Sequence, residues 1–389
     1  MSDFFVKSRY NRIYIHFRKV NFMYFECTPK DLLFALNIVS HTVSEHYTIP
    51  ILSYMLLETE GKDHLIISAT DLKISVKVRV KAQIQMSGQT TLPAKILTQI
   101  TKELPNEPIF FKQKSTDLLQ IDCASSSFNV STLPKDEFPP IVFWEEHAIS
   151  VCQQDLKKAL QQTVISISTD NSRQTSMSGV FFECTHDSIL FVATDGKRLS
   201  HVTIPAKTGI PEDSKKTGIL PGKISQELCK NLGKDDFVDI IVGNKEIIFH
   251  MGEVSYMCQL IDERFPNFLG VIQKPIKNSI KLNRQAFVGA LRRSSVMVDD
   301  KINRIKIDII KGKMVITSGN DNFGASEEFI EIDYDGESLA IGFAPVYLLE
   351  GLKVMTSEEI TFDLTEREES AILRESDDFL YLVMPMILT

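Results

Sequence analysis

Ala193-Thr194-Asp195-Gly196-Lys197-Arg198-Leu199 is the stretch that decides the architecture, because its opening has already occurred once as Ala69-Thr70-Asp71. A weaker copy, Thr317-Ser318-Gly319, follows later, and the same interval separates residue 70 from 194 and 194 from 318. A fixed interval of this size marks a repeated structural unit. The echo continues downstream: Thr91-Leu92-Pro93-Ala94-Lys95, Ile219-Leu220-Pro221-Gly222-Lys223 and, less closely, Gly342-Phe343-Ala344-Pro345-Val346 each open a helical pattern. Phe128 to Pro134, Tyr256 to Asp262 and Tyr381 to Met386 then close the units with the alternation of strands.

Three domains follow, at residues 23–144, 145–277 and 278–389, behind a basic N-terminal extension at 1–22. Phe138-Pro139 and Phe265-Pro266 mark the two connectors, since proline stiffens the chain there. Leu32, Leu33, Leu36 and Val39 give the first unit an apolar helical stripe, as do Leu156, Leu160 and Val164 in the second and Phe287 and Leu291 in the third. The expected fold class is α+β. Each unit has a helix first, then hairpin strands, a second helix and more strands, with both helices packed on antiparallel sheet.

Composition narrows the function. With 43% hydrophobic and 24% charged residues, the 389-residue chain has the make-up of globular domains. Its apolar runs are far shorter than the roughly 20 residues of a membrane-spanning helix, so a soluble, cytoplasmic protein without a membrane partner is expected. Six scattered cysteines form no C-x-x-C pair and read as buried, reduced thiols. The extension carries Lys7, Arg9, Arg12, Arg18 and Lys19 but lacks the apolar centre of a secretory signal. It reads as an appendage, with a DNA-touching basic arm as the functional alternative.

A net charge of −8 counts against a nucleic-acid partner only until the charges are placed. Lys95 and Lys102 lie seven apart on one helix face, Lys223 and Lys230 repeat that spacing, and Lys353 recurs in the third unit. Lys157, Lys158, Arg284, Arg292 and Arg293 add to the other helices, so the helices are net positive in an acidic chain. Any one lysine could simply be solvated. Repetition at equivalent positions favours sequence-independent phosphate contact. No phosphate loop, H-E-x-x-H or G-x-S-x-G motif is present, and Glu366, Glu368 and Glu369 read as a solvated turn. No enzyme activity, cofactor or metal is expected.

Taken together, Ala193 to Leu199, Leu260-Ile261-Asp262-Glu263-Arg264-Phe265-Pro266, Ser131 to Pro134 and the terminal Val383-Met384-Pro385-Met386 resemble the bacterial DNA polymerase III beta subunit family, the sliding clamps. The resemblance covers about residues 23–389. It implies three clamp domains forming half of a closed, head-to-tail dimeric ring whose helices line a hole for duplex DNA. DNA contacts would come from His46, Lys95, Lys102, Asn171, Arg173, Thr175, Ser176, Lys223 and Lys230. A pocket for short peptides of the replicative polymerase, clamp loader and repair proteins would be lined by Met177, Thr194, Gly196, Arg198, Leu199, Pro266, Val271, Tyr347, Leu382, Val383, Met384, Pro385 and Met386. Phe128 and Val130 would meet Val296 and Met297 across the dimer. Departures from the family pattern are His46 for a basic residue, Thr175-Ser176 for aromatics, Lys197 for histidine and Gly270 for arginine. Ser125 and Ser127 stand where some relatives are basic, which bears on dimer strength. The competing reading is a non-enzymatic repeat scaffold that binds protein partners only; an enzyme is the third.

Overall fold

Thr28-Pro29-Lys30-Asp31 is built to start a helix. The Thr28 hydroxyl accepts from the Asp31 N–H at 3.1 Å, and Pro29 takes the first turn, where no donor is needed. Helix α1 (Pro29–Val39) follows, burying Leu32, Leu36 and Val39 completely while Leu33 stays half-exposed. The structure, a computed structural model, describes residues 22–43, 49–170, 175–233, 236–273, 275–298, 303–320, 324–364 and 370–388. His46, Asn171, Arg173 and the Glu366, Glu368 and Glu369 cluster lie outside them.

The chain divides into two compact units, residues 1–71 with 77–140, and residues 72–76 with 141–389. In the first, β1 (Tyr24–Cys27), β5 (Gln83–Met86), β7 (Ile109–Gln113), β8 (Leu118–Cys123) and β9 (Ser126–Ser131) form one antiparallel sheet in the order β5-β1-β7-β8-β9. β4 (Ile74–Lys81), β3 (His64–Thr70), β2 (Tyr54–Glu60) and β6 (Gln89–Pro93) run side by side in a second. Helix α2 (Ala94–Glu103) starts directly where Pro93 ends β6 and packs beside α1. Phe25 and Phe111, stacked with centroids 4.5 Å apart, fill the core with Leu36 and Leu97.

The second unit holds two more copies of this plan. The first contributes β10 (Ile149–Cys152), α3 (Gln153–Val164), β11 (Gly179–Cys184), β12 (Ser188–Thr194), β13 (Arg198–Pro205), β14 (Lys216–Pro221), α4 (Gly222–Asn231), β15 (Phe237–Val242), β16 (Glu246–Met251) and β17 (Val254–Gln259). After the short α5 (Leu269–Ile272) come β18 (Asn278–Asn283), α6 (Arg284–Ser295), β19 (Ile305–Ile310), β20 (Lys313–Asn320), β21 (Gly324–Glu331), β22 (Leu339–Phe343), α7 (Pro345–Val354), β23 (Glu359–Leu364), β24 (Ala371–Ser376) and β25 (Phe379–Val383). Helices α3 and α4 pack together, as do α6 and α7.

The repeated triplets fall at matching places, Ala69-Thr70 ending β3, Ala193-Thr194 ending β12 and Thr317-Ser318 lying in β20. Two features differ from the sequence-based expectation. Each copy begins with a short strand (β1, β10 or β18) rather than a helix; segments of four to six residues carry too little alternation to stand out. The strands of a copy also serve two sheets. β13 and β25, from different copies, pair from Arg198↔Val383 to Val202↔Phe379 and so fuse β14-β11-β12-β13 with β25-β24-β23-β18 into one eight-stranded sheet.

Candidate functional site

The loop after β12 explains its own sequence. Asp195 Oδ1 accepts from the N–H groups of Lys197 and Arg198 at 2.9 and 3.0 Å, and the Thr194 hydroxyl donates to the Arg198 carbonyl at 2.7 Å. Gly196 turns the corner at φ 82°, a conformation glycine takes without a Cβ penalty. This closed turn aims Arg198 toward the next copy. Its guanidinium bonds Asp195 Oδ2 at 3.2 Å, pairs with the Glu350 carboxylate on α7, and stacks 4.7 Å over the Tyr347 ring. Burial opposes the Arg198 charge, yet the Glu350 carboxylate outweighs it and holds the group above its ordinary range. Burial likewise pushes the Tyr381 hydroxyl up, against the pull of Arg198, so it stays protonated and donates to the Tyr347 carbonyl at 2.8 Å.

Beside this charged pin lies an apolar floor. Leu199 and Leu382 are register partners on β13 and β25, and both belong to a buried cluster with Val192, Ile372 and Leu380. Val271, Ile272, Phe265 and Phe268 from the connector pack against it. Met384, 38% exposed, extends the terminal strand with its N–H on the Lys197 carbonyl at 2.8 Å. Of the expected pocket residues, Leu199, Leu382 and Val383 are thus buried floor, and Met177, Arg198, Pro266, Val271, Tyr347, Pro385 and Met386 are half-exposed. Thr194 is buried under the turn, and Gly196 is exposed at its tip. Met386 is clipped to β22, its N–H on the Gly342 carbonyl at 2.8 Å. Sequence reasoning missed Asp195 and Glu350 as partners of Arg198. The repeated Ala-Thr-Asp could have pointed to the first; nothing local points to the second.

Lys95, Lys102, Lys223 and Lys230 are all exposed on α2 and α4. Lys230 bonds Glu227 one turn back at 2.8 Å while staying 58% exposed, so its charge remains reachable. Thr175 is exposed, but Ser176 is a correction: it is 1% exposed, and its N–H donates to Glu263 at 2.8 Å. A hydroxyl that deep does not meet a phosphate. At the expected dimer contacts, Val296 is 79% exposed, Phe128 and Met297 are half-exposed, and Val130 is 7% exposed within β9. All six cysteines are free thiols, and burial pushes Cys229 up to about 11. No cluster of three metal-binding side chains occurs among the described residues, and no described helix is long and apolar enough to cross a membrane.

Models of the DNA polymerase III beta subunit match in three consecutive pieces, the N-terminal domain over residues 23–142, the central domain over 150–267 and the C-terminal domain over 271–387. The beta sliding clamp of Pseudomonas putida is 31% identical over 372 residues, covering 94% of this chain and 100% of its own. The chain belongs to the DNA polymerase III beta subunit family. A solved sliding clamp from Pseudomonas aeruginosa, bound to griselimycin, superposes with TM-score 0.88 at 30% identity, covering 94% of this chain and 100% of that one. The clamp of Bacillus subtilis gives 0.89 at 27% identity over 95% of this chain and 100% of its own. Clamps of this family are non-enzymatic processivity factors, consistent with a site whose ionisable groups are pinned to each other rather than poised for proton transfer.

Proposed function

We propose that two copies of the chain close head to tail into a ring around duplex DNA, and that the pocket beside Arg198 tethers the replicative polymerase, the clamp loader and repair proteins by short peptides. The observation that carries the DNA reading is positional. Lysines recur at the same two places of α2 and α4, exposed, in a chain of net charge −8. Such a face attracts phosphate without reading bases or fixing a register, which is what sliding requires. The acidic remainder repels DNA and keeps contact to the lining.

Closure is supported by edges. β9 ends the five-stranded sheet and β21 ends the four-stranded one, and among the described residues each has a strand neighbour on one side only. Edges of this kind pair readily with another chain, and a head-to-tail contact that closes gives a ring instead of a fibre. Phe128 and Val130 on β9 would meet Val296 and Met297 of the second copy. Arg293 already holds Glu328 of β21 through two bonds, at 2.9 and 2.6 Å. With Ser125 and Ser127 in place of cations, apolar contact rather than ion pairing would hold the rings together.

The pocket suits varied peptides because its apolar rim includes the methionines Met177, Met384 and Met386, whose flexible side chains re-pack around different ligands. The test is primer extension by the cognate polymerase with its loader. Adding the chain should lengthen the products of a single binding event by at least about tenfold. Unchanged product length would contradict the proposal.

A further inference from the structure

Next to the pocket, the structure holds a groove of about 910 Å³. Phe181, Ile219, Leu260, Phe265 and Phe268 give it an apolar wall, and the rings of Phe181 and Phe265 stack with centroids 5.2 Å apart. Phe181, Phe265 and Phe268 also pack against the cluster containing Leu199 and Leu382. One wall therefore serves both cavities. Along the groove runs β14, the outermost strand of the eight-stranded sheet.

The outer edge of β14 is only partly occupied. The Ile219 carbonyl accepts from the Ile261 N–H at 2.9 Å, so it points away from β11, where its own cross-strand neighbour is Phe181. Backbone groups alternate sides along an antiparallel strand, which turns the N–H and carbonyl of Thr217 outward as well. Thr217 is exposed and lines the groove. The rim is of mixed sign, with Lys215 paired to Glu183 at 2.8 Å and Lys245, Arg264, Glu246 and Asp262 around it. Four carboxylates in all, counting Glu263, would face any phosphate chain, so a nucleic acid does not fit. An extended polypeptide does: its backbone finds partners at Thr217, alternate side chains reach the phenylalanine wall, and the others meet a rim of both charges.

We infer that the partner-peptide site continues into this groove, where the segment flanking a pocket-bound peptide adds as a short strand to the edge of β14. The inference rests on the pocket reading above, because the flank reaches the groove only if its anchor sits against the shared wall. Partners with the same anchor would then be ranked by their flanks.

The experiment uses the full chain and the clamp-binding segment of the cognate polymerase as two synthetic peptides, one of roughly six residues and one lengthened at both ends to roughly twenty, enough for one added strand on either side. Anisotropy is measured on the native chain and on Thr217→Pro. Proline removes an outward N–H and is tolerated on an edge strand, so the ladder to β11 survives. The longer peptide should bind about tenfold more tightly to the native chain, lose that gain on Thr217→Pro, and leave the short peptide unaffected. Equal affinities for the two lengths, or a gain that persists in Thr217→Pro, would overturn the groove while a binding short peptide upheld the pocket. Failure of both peptides to bind would overturn both. Hydrogen exchange on the native chain gives a second readout should the variant not fold: the longer peptide alone should slow the Thr217 and Ile219 amides, and unchanged exchange would overturn the inference.

Discussion

Arg198 and Lys95 are both cations near the surface, and they differ in how much of each meets water. Arg198, with 11% of its side chain exposed, is pinned by Asp195, Glu350 and the Tyr347 ring. Lys95 belongs to a set of exposed helix lysines, with Lys102, Lys223 and Lys230, set on the solvent side of α2 and α4. A charge fixed by partners in its own chain gives the pocket a rigid wall, which discriminates by geometry. An exposed charge, screened by water, attracts without discriminating. Under the proposed function the peptide site and the DNA face divide recognition between shape and field, and each could be damaged without the other.

The contrast breaks most visibly if the pocket's last strand is cut. Deleting residues 384–389 removes Met384 and Met386, whose backbones clip onto Lys197 and Gly342, while leaving the buried β25 intact. Peptide affinity should fall by about 100-fold or more in a folded chain, in keeping with the loss of central contacts. Unchanged calorimetric affinity would refute the pocket. Next in size, Lys95→Glu with Lys223→Glu should shorten the half-life on circular DNA by about tenfold and reduce its salt dependence, with peptide affinity preserved. Equal retention would show that these lysines are merely solvated.

Smaller effects sharpen the distinction between buried and exposed charge. Glu350→Gln should cost about 1 kcal/mol of stability by chemical denaturation, a modest figure because 42% of the Glu350 side chain is exposed. Glu375 offers a pH test. Burial alone would raise its carboxyl, but the N–H groups of Thr356 and Ser357, with Lys158, bring it below the usual range. A lowered folded value stabilises above the unfolded value of about 4.3 and loses that contribution as pH falls through the folded one. Glu375→Gln should therefore narrow the stability gap between pH 7 and pH 3, seen as a shallower acid limb in thermal melts. An unaltered limb would mean the carboxylate is not held this way.

The three-fold repeat, the α+β class and the helix faces were legible because they are written in spacing along one chain. Ala69-Thr70-Asp71 and Ala193-Thr194-Asp195 mark equivalent strand ends, and Leu36 and Leu160 point inward as their periodicity requires. What escaped is non-local. No periodicity couples Arg198 to Glu350, which stands a whole copy further along the chain, or announces that β13 pairs with β25. Ser176 misled because resemblance transfers a position without its burial, and here the residue is 1% exposed. The groove beside β14 was invisible for the same reason: Phe181, Ile219 and Phe265 converge only when strand and connector are folded together.

Encirclement is tested most directly by topology. The chain is loaded onto nicked circular duplex, the circle is cut once, and the protein retained on DNA is measured by gel filtration before and after the cut. Protein held on the closed circle should run off the free ends within minutes of linearisation at moderate salt. Equal retention on circle and line would mean that the chain grips DNA from one side, and the ring would be wrong.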